Sequence, residues 1–246
     1  MDSSIGYDRY YCLNHYLKGY ALMKMKKNNQ ALTEYDIYLS HHPKEYNALF
    51  SRGYIKAEIG DTLGAINDYS LAIGINKKNY TAYENRGHLF LKQGNYKAAL
   101  NDLDKAIKIC SSCDCWSCCY AYDNKGFIYL KKGDTTTAVS LFQKSTTINK
   151  YNYYPFFQLA SIKLSQGFKA DALQIFTKAL NELKNEGKNG EVSYNYFCVY
   201  WGKYLVEKNY YKEALPLLKY SLEKNSYGDC FTEANLREII KKCESE

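Results

Sequence analysis

Two series of small residues run through the chain in step. Gly19, Gly53, Gly87, Gly126, Ala160 and Gly202 form the first, and Ala31, Ala65, Ala99, Ala138, Ala172 and Ala214 follow, each twelve residues later. Both series advance by 34, 34, 39, 34 and 42 residues. Four residues after each alanine stands Tyr35, Tyr69, Leu103, Phe142, Phe176 or Leu218. Two registers moving together through six copies specify a repeat array, and this excludes most folds built on one continuous core.

A turn signal separates the two series in each copy. Gly60-Asp61, Gly94-Asn95, Gly133-Asp134 and Gly167 supply it, and the first and sixth copies use Asn28-Asn29 and Asn209. Glycine ends one helix, and Asp or Asn caps the amino end of the next. On either side apolar residues recur at helical spacing, as in Ala98-Ala99, Leu103, Ala106 and Ile107. Each unit therefore reads as helix, tight turn, helix. Gly in one helix and Ala in the other let the pair cross closely, and the aromatic one turn later fills the space beside the crossing. One pair of short helices cannot bury its apolar face alone, so neighbouring pairs must stack.

In period, in the Gly and Ala positions and in the aromatic after the Ala, the chain resembles the tetratricopeptide repeat family over about residues 12–228. The resemblance implies an all-α, right-handed superhelical solenoid. Its six helix-turn-helix units would lie at about 12–45, 46–79, 80–113, 119–152, 153–186 and 195–228. A capping helix at about 229–244 would close a single 1–246 solenoid domain. The family's first-helix Trp is replaced by His15, Leu49, Tyr83, Tyr122, Phe156 and Cys198, and its closing Pro survives only as Pro43. At Ile75-Asn76 and Ile148-Asn149, Asn is expected to stop the helix in the left-handed conformation it tolerates. Two insertions break the period: Asp114 to Cys118, and Gly187 to Tyr194, whose polar run reads as a loop.

In this family the first helices line a concave binding groove with repeat positions 2, 5, 9 and 12. Carried over, the candidate peptide-binding residues are Tyr16, Tyr20, Phe50, Tyr54, Glu84, His88, Asp123, Phe127 and Phe157. Tyr and Phe dominate, with Glu84 and Asp123 as an acidic middle; the same aromatics at helical spacing would equally serve as packing between repeats. One branch of the family binds acidic C-terminal tails through clamp cations. Here those positions hold Tyr16, Tyr20, Ser51, Thr81 and Asn85, or, one repeat later, Phe50, Tyr54, Asn85, Tyr120 and Asn124. Neither frame has the cations. The resemblance thus implies a non-enzymatic interaction scaffold or adaptor, whose partner is a protein that offers a peptide or amphipathic helix. Self-association through the apolar ends of the array is a further expectation.

Cys110, Cys113, Cys115 and Cys118 form two C-x-x-C pairs one residue apart. Four thiolates suit zinc, and a metal or thiol site here is the alternative reading. However, so short a spacer keeps the pairs from approaching one ion from two directions, so no metal or other cofactor is assigned. The nine cysteines are an odd number, and no basic-then-apolar export signal opens the chain. Reduced thiols and a cytoplasmic location are therefore expected. His15, His41, His42 and His88 lack ligand spacing, phosphate-binding and nucleophile motifs are absent, and Asp102 reads as solvated pairing with Lys105. No catalytic residue is assigned. The net charge of +7 is spread through both halves, as 15 Lys/Arg against 11 Asp/Glu before Cys113 and 18 against 15 after. That is a solvated surface, not a nucleic-acid-binding face. No apolar run approaches the roughly 18 residues a membrane span needs.

Overall fold

A computed structural model describes residues 3–111, 116–184, 187–224 and 232–245. Every regular element among them is helical: α1 (Ser3–Lys24), α2 (Asn28–His41), α3 (Tyr46–Glu58), α4 (Thr62–Ile75), α5 (Tyr80–Lys92), α6 (Tyr96–Cys110), a 3-10 turn (Trp116–Cys118), α7 (Cys119–Lys131), α8 (Thr135–Ile148), α9 (Tyr153–Ser165), α10 (Lys169–Lys184), α11 (Gly187–Glu207), α12 (Tyr211–Glu223) and α13 (Glu233–Ser245). The chain forms two compact units, Met1–Ile128 and Tyr129–Glu246. In the first, α1 packs on α2, α3 on α4 and α5 on α6, while α2 meets α3 and α4 meets α5. In the second, α8 meets α9, α9 packs on α10, α10 meets α11, α11 packs on α12, and α12 carries α13.

The turns follow the expected chemistry in four copies. Gly60, Gly94, Gly133 and Gly167 have φ of +89°, +74°, +82° and +86°. Asp61, Asn95 and Asp134 then cap α4, α6 and α8 by accepting the backbone N–H of Gly64, Ala98 and Thr137 at 2.9, 3.2 and 3.0 Å. Asn209 takes the left-handed position in the sixth copy (φ 63°), as its sequence signal implied. In the first copy, Lys26 (φ 56°) turns the chain instead of Asn28, which already lies in α2.

The junctions between pairs differ from expectation. Asn76 and Asn149 are extended (φ −123° and −135°), not left-handed. Each folds its Oδ1 onto the chain instead, accepting the N–H of Lys78 and Tyr151 at 3.0 Å. Asn79 and Asn152 then cap α5 and α9. His42 before Pro43 has a similar backbone (φ −129°), so an Asn side chain closes the turn where proline is absent. The polar insertion at 187–194 is not a loop but the opening of α11. It holds no proline, and its Lys and Glu are good helix formers, so polarity alone does not break the helix. Within the other insertion, residues 114 and 115 lie outside the described residues.

The alanine series is fully buried in all six copies. A methyl placed on Gly53 would lie 3.2 Å from both Asp68 Cβ and the Tyr69 ring, and one on Gly202 would lie 2.7 Å from Leu218 Cδ2. In α13, Leu236, Ile240 and Cys243 are buried at spacings of four and three residues, and Arg237 lies exposed between them. Gly202→Val should cost about 1–3 kcal/mol by overpacking. Urea unfolding followed by circular dichroism measures it, and a variant as stable as the parent would mean that the crossing is looser than described.

Candidate peptide-binding face

The first helices of the Met1–Ile128 unit are set by a ladder of ion pairs. Lys18, Arg52 and Arg86 recur every 34 residues, and Glu34, Asp68 and Asp102 stand sixteen residues after each. Arg52 donates from Nε and Nη2 to Asp68 at 2.8 and 2.7 Å, and from Nη1 back to Asp36 at 2.7 Å. Arg86 holds Asp102 at 2.7 and 2.8 Å and reaches back to Ser70 Oγ at 2.9 Å. Each arginine therefore ties its own helix pair together and ties it to the pair before. Asp102 is 1% exposed, so it is a buried member of this ladder rather than the solvated partner of Lys105. Asp104 pairs with Lys125 instead. In the first rung Glu34 meets Lys18 Nζ at 2.5 Å and His15 Nδ1 at 2.6 Å. The hydrogen bond from Lys18, with support from His15, holds the Glu34 carboxyl below its ordinary pKa of 4.5 against the opposing effect of burial.

On this frame the candidate residues divide into two groups. Tyr16 is locked edge-on against Tyr35, ring centroids 6.0 Å apart, and lies 5.3 Å from Tyr38. Phe50 lies 5.6 Å from Tyr69 and 6.0 Å from Tyr46. Both are half-buried spacers between helices. Tyr20 and Tyr54 are each 44% exposed, with Lys24 Nζ 5.2 Å above the Tyr20 ring. His88 is exposed and faces Asn124 Oδ1 at 3.3 Å. Desolvation by its neighbours lowers its pKa from 6.5, which keeps the imidazole neutral at neutral pH. Glu84 and Asp123 are buried, so little of the acidic middle is presented. Phe127 is half-buried near the end of this unit. The exposed set also includes Leu13 and Tyr120, both at repeat position 2, which the shortlist of candidates passes over.

In the Tyr129–Glu246 unit, Phe157 packs edge-on against Trp201 and Tyr204 at 5.9 and 5.7 Å. Here the ladder positions carry Leu159 with Ile175 and Trp201 with Leu217. Both members of each rung have become apolar together. Beside Leu159 and Ile175 opens a cleft of about 200 Å³, walled by Val139 and Phe156 and edged by Thr146 and Lys178.

The Cys110 and Cys118 sulfurs are joined in a disulfide, Cα atoms 5.9 Å apart. The expectation of uniformly reduced thiols fails at this pair, because the 3-10 turn that carries Cys118 lies against α6, which ends at Cys110. Cys113 and Cys115 lie outside the described residues. Cys12, Cys198 and Cys243 are buried free thiols, and burial pushes the Cys198 pKa up to about 12. An odd cysteine count therefore does not fix the compartment. Among the described residues, no three His, Cys, Asp or Glu side chains gather to hold a metal ion, and no helix is long and apolar enough to cross a membrane.

Sequence profiles of the tetratricopeptide repeat match residues 16–80, 80–113 and 120–152, together more than half of the chain. The chain is a tetratricopeptide repeat protein. No curated protein matches its sequence. Solved structures match its fold. A tetratricopeptide repeat protein from Parabacteroides merdae is 21% identical with a TM-score of 0.70, covering 95% of this chain and 84% of that one. MamA from Desulfovibrio magneticus RS-1 is 16% identical with a TM-score of 0.61, covering 72% and 97%. YrrB, described as a tetratricopeptide repeat protein with an unusual peptide-binding site, is 17% identical with a TM-score of 0.53, covering 70% and 86%. At these identities the likeness is one of fold.

The rungs can be tested directly. Arg86→Leu strands the buried Asp102 carboxylate and should cost about 3–5 kcal/mol. Adding Asp102→Ile rebuilds the apolar rung that Leu159 and Ile175 form, and should recover most of that loss in urea unfolding. Glu34 has a depressed folded-state pKa, so its contribution is present above the unfolded value of 4.5 and is lost as pH falls through the folded value. Glu34→Gln should therefore lower stability at neutral pH and flatten the fall in stability below pH 4.5, as read by urea midpoints across that window.

Proposed function

We propose that this tetratricopeptide repeat protein is a non-enzymatic scaffold that holds an apolar or amphipathic segment of a partner protein against the aromatic face of its first helices. One observation carries the reading: Tyr20 and Tyr54 stand 44% exposed, one turn on from Tyr16 and Phe50, which are committed to packing. An exposed tyrosine is large and stiff, and its tip can hydrogen-bond, so it loses little entropy when a ligand covers it. Among the basic side chains on these helices, Lys18, Arg52, Lys56 and Arg86 face carboxylates within their own repeats, and Lys24 lies over the Tyr20 ring. The face therefore favours aromatic contact over recognition of phosphate or of an acidic tail. YrrB, similar in fold, is named for its peptide-binding site, which supports a peptide ligand here.

The test begins with affinity capture from source cells and mass spectrometry to identify the bound protein. Replacing both Tyr20 and Tyr54 by Ala should then weaken that complex by about tenfold or more, as expected for central aromatic anchors. Helicity by circular dichroism should stay unchanged. Undiminished capture would place the partner elsewhere, and lost helicity would make the two tyrosines structural.

A further inference from the structure

The second helices of the Met1–Ile128 unit turn their outer faces to solvent, and one of them does so with the wrong chemistry. On α2 the outward row spaced by four is Asn29, Thr33, Ile37 and His41, and on α6 it is Lys97, Asn101, Lys105 and Ile109. On α4 the same row reads Leu63, Asn67, Leu71 and Ile75, and Ile59 stands one step earlier in the turn that leads in. Leu63 is 75% exposed, and Ile59, Leu71 and Ile75 are each near 46%. The opposite face of α4 is already buried through Ala65, Tyr69, Ala72 and Ile73. An exposed row of large apolar side chains opposite a buried face marks a surface that other structure covers.

Within α4 the row is symmetric about Asn67, with leucines four residues to either side. A surface that reads the same in both directions complements itself across a two-fold axis. We infer that α4 is the contact between two copies of this chain, packed antiparallel about an axis at Asn67. Leu63 of each copy then meets Leu71 of the other. The two Asn67 amides face each other and can exchange hydrogen bonds. The row beside this ridge, Ile66, Ser70 and Gly74, shrinks to a groove, and space is open where a Gly74 side chain would lie. Ridge against groove along such four-residue rows is the commonest mode of helix packing.

The charges agree with the same axis. Exposed Glu58 and Asp61 flank the amino end of α4, and exposed Lys77 and Lys78 flank its carboxyl end. Antiparallel pairing sets the two acids of one copy against the two lysines of the other, whereas parallel pairing sets like against like. The fourteen residues of α4 are a short contact. They bury less than the roughly 1,600 Å² of a standard interface, so association is weak and depends on concentration. The aromatic face lies on the first helices and is left open by this pairing.

Sedimentation velocity over a roughly hundredfold range of protein concentration reads the outcome, with weak association appearing toward the top of the range. The wild-type chain should shift from monomer toward dimer. Leu63→Glu with Leu71→Glu should stay monomeric throughout with unchanged helicity, since both leucines are exposed. Asn67→Asp should also weaken the dimer at neutral pH by placing two carboxylates together at the axis. Lys77→Glu with Lys78→Glu should weaken it too, and adding Glu58→Lys should restore part of the loss, which fixes the antiparallel register. A wild-type chain monomeric at every concentration, or a leucine variant that associates like wild type, overturns the inference.

Discussion

The close crossing within each helix pair is the constraint on which everything else rests. Backbones this near leave room for a methyl at most at the contact, so Gly (Ala160 in the fifth copy) stands in the first helix and a fully buried Ala in the second. Glycine inside a helix costs about 1 kcal/mol relative to alanine. The array carries that cost at Gly53 and Gly202, where even a methyl would press on Tyr69 or Leu218, because the large residue one turn after the alanine fills the space that the crossing leaves beside it. The tight left-handed turn at Gly60 or Gly94 follows from the same need: two helices that touch must be joined by a short connection that reverses the chain.

Those features have periodic signals, and so the sequence carried them plainly. The Gly and Ala registers and the capping Asp61, Asn95 and Asp134 appear where spacing placed them, and a closing helix, α13, spans Glu233–Ser245. What spacing could not resolve was competition between two local structures of similar energy. Asn76 could stop a helix by turning left-handed or by bonding its own backbone two residues on, and only the packed junction shows the second. The polar run at 187–194 looks like a loop by composition but continues as helix in α11. The candidate face was half legible. Repeat position says that a residue lies on the first helix's presented side, but whether an aromatic is open depends on its neighbours. Tyr16 meets Tyr35 and Tyr38, whereas Tyr20, one turn on, remains exposed. The ladder was missed because its partners stand sixteen residues apart, in different helices. Asp102 looked solvated beside Lys105, although Arg86 was the cation that mattered.

The rungs show how such an array can change its chemistry from copy to copy without losing its fold. A buried carboxylate left without its cation costs several kcal/mol, but a rung with both members apolar keeps its packing and avoids desolvating two charges. Four rungs are therefore matched: Arg52–Asp68 and Arg86–Asp102 are charged throughout, Leu159–Ile175 and Trp201–Leu217 apolar throughout. The fourth copy is the informative exception. Lys125 keeps its charge while Leu141 occupies the acid's sequence position, and the lysine turns its amine to the exposed Asp104. A long side chain can bury its stem and carry its charge to the surface, which a short aspartate cannot do. Of the two half-converted rungs, only the one that keeps the cation is tolerable, and that is the one the chain contains.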